Sequence, residues 1–134
     1  MQYPHGTTIA VTDGQKLRVF RNTGNELTLK LMELPKPDVH AHSHGATRAH
    51  HTNGANESER HLTEDSFAAA TAAWLNAQVL GGQIENLYIV APARTLGELR
   101  HHYHHKLVAK LLGELGKEHT HDTLDFLQEA LLRA

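Results

Sequence analysis

The run Asn86-Leu87-Tyr88-Ile89-Val90-Ala91-Pro92 has no polar face. Such a stretch needs apolar cover on both sides, which suits the central strand of a sheet packed between helices. A strand of that kind is normally reached by a crossover helix and paired in parallel, and the crossover is right-handed. This run therefore excludes most all-helical and one-sided sheet architectures.

The first quarter of the chain reads differently. In residues 8–12, Ile9 and Val11 alternate with Thr8, Ala10 and Thr12; in residues 16–22, Leu17 and Val19 alternate with Lys16 and Arg18. In residues 26–34, Leu27, Leu29 and Leu31 alternate with Glu26, Thr28 and Lys30. Period-two alternation indicates three strands, and Asp13-Gly14 and Asn22-Thr23-Gly24-Asn25 supply tight hairpin turns. Pro35 and Pro37 close the third strand. Residues 36–62 then form one long loop, mobile or functional, whose histidines are His40, His42, His44, His50, His51 and His61.

Thr63 is placed to cap a first helix running to about Leu80, with Phe67, Thr71, Trp74, Leu75 and Gln78 on one stripe. Thr95 is placed to cap a second helix from 96 to about 115, buried through Leu96, Leu99, Tyr103, Leu107 and Leu111 and stopped by Gly116. Residues 117–122 suit a short edge strand. A last helix from about Thr123 buries Leu124, Leu127 and Leu131. The expected fold is a single α/β domain over residues 1–134. It has a mixed five-stranded sheet in order 3-2-1-4-5 with helices on both faces, the ribonuclease H-like three-layer layout.

Composition narrows the chemistry. The 134 residues contain no cysteine, which excludes disulfides and thiolate metal sites. The chain is 40% hydrophobic and 21% charged, and its longest apolar runs are far too short to span a bilayer. No secretory signal is readable at the start, so a cytoplasmic protein without membrane partners is expected. Thirteen histidines are the anomaly: protonating all of them would carry the formal charge from −2 to about +11.

Two motifs raise specific questions. Gly81-Gly82-Gln83 is the tripeptide that peptide release factors use to cleave peptidyl-tRNA, yet here it falls at the end of the first helix, where glycine serves as a left-handed stop. Asp13 could be one carboxylate of a two-metal nuclease. The residues closing strand four, Ala91-Pro92-Ala93-Arg94, supply no second one.

The crevice between strands one and four is the expected binding place, because the strand order reverses there. Arg94, the Thr95 hydroxyl and the first N–H groups of the second helix are its candidate ligands for a phosphate or carboxylate, and Asp13 and Arg100 are further candidate binding residues. Among the histidines, His40, His42 and His44 alternate, and His101 and His105 are four apart on one helix. These five are metal-ligand candidates by imidazole chemistry, but solvated histidines are the preferred explanation, and no cofactor is expected.

The chain resembles the middle domain of archaeal and eukaryotic class-one release factors. The carrying residues are Val11-Thr12-Asp13-Gly14, Leu34-Pro35, the long loop, the apolar fourth strand and Leu99-Arg100. In that family the catalytic Gly-Gly-Gln stands between strand three and the first helix. It is similar over nearly its whole length to the bacterial host attachment proteins. Residues 11–24, 64–76, 87–100 and 116–131 carry that likeness, and Ala91-Pro92-x-Arg94-x-Leu96-Gly97-x-Leu99-Arg100 is its most specific part. The loop departs from that family in being histidine-rich where relatives have Arg, Asp and Gly. The second resemblance implies a cytoplasmic binding module without catalysis. The first implies a protein that engages the ribosome or tRNA, with His44, Gly45 or Arg48 of the loop as the active element.

Overall fold

The computed structural model describes residues 1–39 and 57–134. Among these residues the chain forms β1 (Thr8–Thr12), β2 (Leu17–Asn22), β3 (Leu31–Glu33), α1 (Glu57–Leu80), β4 (Leu87–Val90), α2 (Ala93–Arg100), α3 (His105–Lys110), β5 (Leu111–Leu115) and α4 (Leu124–Arg133). The strands make one sheet in the order β3-β2-β1-β4-β5. β1 is antiparallel to β2 and parallel to β4, with Ile9 opposite Tyr88 and Ala10 opposite Ile89. β4 is parallel to β5. The expected strand order therefore holds, and the arrangement is compatible with the ribonuclease H-like layout.

Both faces of the sheet are covered. On one, Ala10, Leu17, Val19, Leu87 and Ile89 pack against α1, α2 and α3 through Ala68, Ala72, Leu75, Leu96, Leu99 and Leu107. On the other, Ile9, Val11, Phe20, Leu31, Tyr88 and Val90 meet Tyr3, Leu127 and Leu131. This two-sided burial is why residues 87–90 are apolar throughout. In α1 the buried face is Ala68, Thr71, Ala72 and Leu75, while Phe67 and Trp74 are only partly buried. Small side chains let the helix lie close to the sheet, and the large ones fill its flanks.

Several boundaries differ from the sequence expectation. The third strand is only Leu31–Glu33, and Leu27 is exposed. The hairpin turns at residues 25–28, because the Asn25 carboxamide oxygen accepts from the N–H groups of Leu27 and Thr28 at 2.9 and 3.0 Å. Asn22, expected in the turn, is a buried staple whose Oδ1 accepts from Gly24 and Lys30 at 2.9 and 3.0 Å. α1 begins at Glu57, so the loop expected to reach residue 62 ends earlier and Thr63 lies inside the helix.

The expected second helix is two helices and a strand. It stops after Arg100, and the Asn76 side chain satisfies the break, donating to the His102 carbonyl at 2.9 Å and accepting from the His104 N–H at 3.0 Å. His104 Nδ1 then caps α3 by accepting from Lys106 N–H. Residues 111–115 form β5, and residues 117–122, expected as an edge strand, are a loop. Thr123 does cap α4, accepting from Phe126 N–H at 3.3 Å.

Gly24 is the tightest point of the hairpin. A Cβ there would lie 2.0 Å from the Thr28 carbonyl oxygen, which is backbone and cannot rotate away. Gly24→Ala is therefore expected to cost about 2 kcal/mol, within the range for overpacking, measured as a lower midpoint in urea unfolding.

Candidate functional site

β1, β3, β4 and β5 all point the same way, so their carboxyl ends share one rim of the sheet. The segment joining β3 to α1 leaves from this rim. α1 returns to it as well: Glu64 packs over Gly14, and Asp65 meets the first turn of α2.

Asp13 follows β1 on that rim. Its Oδ1 accepts from the N–H groups of Gln15 and Lys16, both at 2.7 Å, which fixes the β1–β2 turn. Its Oδ2 accepts from the Thr120 hydroxyl at 2.9 Å. That hydroxyl also touches Glu118 Oε1, which in turn accepts from the Thr120 N–H at 2.7 Å. One hydroxyl hydrogen thus stands between two carboxylates.

Arg94 sits in the first turn of α2. Its Nη2 donates to both carboxylate oxygens of Asp65 at 3.1 Å, so a carboxylate of the protein already engages this nitrogen. Thr95 was expected as the helix cap, but that position belongs to Pro92 and has no side-chain cap bond. The reason is that the helix starts three residues earlier, leaving Thr95 half-buried in its first turn. Arg100 stands in the last turn of α2, about 12 Å along the axis from its start, and is bound to Glu114 at 2.7 and 2.9 Å. The structure therefore brings Asp13, Arg94 and Thr95 to one rim and places Arg100 away from it.

His101 and His105 do not share a helical face, because the break at residues 101–104 separates them. His105 stacks on His104 with ring centroids 4.3 Å apart. Among the described residues no group of three His, Asp or Glu side chains could hold a metal ion. His40, His42, His44 and Arg48 lie outside the described residues.

Gly81-Gly82-Gln83 is a helix stop. Gly82 has φ of 84°, and the N–H groups of Gly82 and Gln83 return to the Val79 and Gln78 carbonyls at 3.1 and 2.9 Å. The tripeptide stands at the end of α1 remote from the rim, on a helix about 36 Å long.

Sequence reading missed the residues around Arg18. Its guanidinium binds Glu33 through Nε and Nη2 at 3.0 and 2.8 Å, and its Nη1 donates to the carbonyls of Thr120 and Asp122 at 3.1 and 2.8 Å. The loop after β5 is thereby folded back onto β2. Beside it lies a cleft of about 280 Å³ lined by Lys16, Leu17, Arg18, Glu33, Lys36 and Thr120.

A mixed sheet in this order, covered on both faces and with a long β3–α1 segment leaving its carboxyl rim, defines an α/β domain of three layers. Within that class, the chain belongs to bacterial archaeo-eukaryotic release factor family 12, which it matches over residues 6–131. No curated protein sequence matches it. Among the described residues no helix is long and apolar enough to cross a membrane.

Proposed function

We propose that this domain is a release-factor-like binding module of the cytoplasm that engages the ribosome or tRNA through its β3–α1 segment and does not itself cleave peptidyl-tRNA. The observation that carries this reading is family membership combined with the position of the segment. It leaves the rim where four strands end, the place where open α/β sheets take their ligands. Residues 36–62 contain no Gly-Gly-Gln, and the one such tripeptide serves as the stop of α1.

The composition of the segment supports an anionic partner under a specific condition. Lys36, Arg48 and Arg60 are balanced by Asp38, Glu57 and Glu59, so its histidines decide its sign. Histidine ordinarily gains charge around pH 6.5, which turns a neutral segment into a polycation as the solution is acidified. His44 and Arg48 are the residues assigned to contact the partner. The likeness to host attachment proteins fits the same module, with any attachment phenotype arising through what is translated.

The test is cosedimentation with ribosomes at pH 6 and pH 7.5. The native protein should pellet with ribosomes, and more of it at pH 6. A variant with His40, His42, His44, His50 and His51 changed to alanine should lose that pH dependence and bind about tenfold more weakly at pH 6. Absence of the native protein from the ribosome fraction, or equal pelleting of both proteins, overturns the proposal.

A further inference from the structure

We infer that the cleft between the β1–β2 turn and the end of β3 is a phosphate-binding site, with Lys16 and Lys36 as its two ligands. Resting on the function proposed above, the phosphate is one of an RNA backbone.

The charges that line the cleft settle its sign. Glu33 is neutralised by two bonds from Arg18 at 2.8 and 3.0 Å. Arg18 spends its remaining reach on the carbonyls of Thr120 and Asp122, so it offers little to an incoming anion. The carboxylates behind the floor are also engaged. Asp13 is held by two N–H groups and the Thr120 hydroxyl, Glu118 by Thr120, and Asp122 by His119 Nδ1 at 2.6 Å. Lys16 and Lys36 differ from all of these. Their ammonium groups make no ion pair or hydrogen bond among the described residues, and both line the same void. The lining residues carry three positive charges against the one negative charge of Glu33, and two of those, on Lys16 and Lys36, have no ion-pair partner among the described residues, so the lining favours an anion.

Size and position name the anion. About 280 Å³ sits just below the usual range for small-molecule pockets and accommodates one phosphate with its sugar. Lysine serves phosphate well as a mobile point charge. Lys36 is also the first residue of the 36–62 segment, so the cleft adjoins the base of the element proposed to contact RNA. The floor is fixed, since Thr120 is buried and Arg18 ties its loop to β2.

The experiment compares the native protein with Lys16→Gln/Lys36→Gln and with a control, Lys106→Gln/Lys110→Gln, on α3 at the opposite end of the sheet. All four lysines are exposed, so folding should be unaffected. Binding of a single-stranded RNA oligomer, of tRNA and of inorganic phosphate is measured across a salt series. The cleft variant should bind RNA about tenfold more weakly at low salt. Its salt dependence should be shallower by about 0.7 in logarithmic slope, the value for one lost phosphate contact on a single strand. The control should match the native protein.

RNA binding that is equally tight and equally salt-dependent in all three proteins overturns the cleft and leaves the proposed function standing. Inorganic phosphate binding that requires both lysines, with no RNA bound, keeps the cleft and removes the RNA assignment. Failure of the native protein to bind either probe overturns both.

Discussion

Replacing Arg18 by alanine is expected to lower the stability of the domain by about 3 kcal/mol, measured by urea unfolding at neutral pH. Two half-buried carbonyls lose a charged donor, each such bond contributing about 1.5 kcal/mol at the low end of its range. The Glu33 pair adds less than about 1 kcal/mol, because 43% of the Glu33 side chain is exposed and solvent screens it. Arg18 also lies 5.0 Å from the centre of the Phe20 ring. Arg18→Lys should recover less than half of the loss, since one ammonium cannot reach Glu33 and two carbonyls from a single position.

Acid should narrow the gap between native protein and Arg18→Ala. The bonds from Arg18, with its charge, hold the Glu33 carboxyl below its ordinary value. A depressed folded value means that this stabilisation is complete above the unfolded value, about 4.3, and disappears as pH falls through the folded one. The native protein loses that increment on acidification, and the variant has none to lose. A gap that stays constant from pH 7 to pH 3 would show that the ion pair contributes nothing.

The strand order was legible because each signal was local and unambiguous. Alternation marked β1 and β2, and four consecutive apolar residues marked β4. The errors arose where two readings used the same residues. Leu107 and Leu111 continue a helical stripe, yet Leu111-Leu112-Gly113-Glu114-Leu115 is a strand. Tertiary contacts decide it: Glu114 is held by Arg100 and Tyr103, and Gly113 leaves room for the Tyr88 ring, which a Cβ would meet at 2.9 Å. The hairpin turn was misplaced because Asn22 and Asn25 both suit turns, and only burial shows that Asn22 is a staple.

The rim was partly legible for a related reason. Strand ends can be read from sequence, so Asp13 and Arg94 were found. Pairing partners cannot be read, so neither the Asp65 carboxylate on Arg94 nor the approach of Lys16, Lys36 and Thr120 was visible. Arg18 meets Thr120 across 102 positions of chain, and no spacing rule reaches that far.

Removing the Glu114 carboxylate is expected to release one of three silent tyrosines. In the native protein all three tyrosines are held protonated above the usual phenol range. For Tyr3 the causes are burial and then the neighbouring Tyr88, and for Tyr88 burial dominates. For Tyr103 burial is again first, followed by its bond to Glu114 at 2.8 Å. A raised folded value means that this stabilisation is intact below the unfolded value, about 10, and is lost as pH climbs through the folded one. Ultraviolet absorbance should therefore show no phenolate near pH 10, then a single rise for all three rings as the protein unfolds. Glu114→Ala strips Tyr103 of its acceptor and Arg100 of its partner, at a cost of about 2 kcal/mol, mostly from the orphaned hydroxyl, because Arg100 is exposed and solvent screens its pair. It also removes the negative charge that opposes ionisation of Tyr103. Burial still holds Tyr103 above the usual phenol range, but its phenol should titrate earlier than in the native protein, while Tyr3 and Tyr88 remain silent. Identical alkaline curves for native and variant proteins would mean that the carboxylate neither holds β5 to α2 nor governs Tyr103.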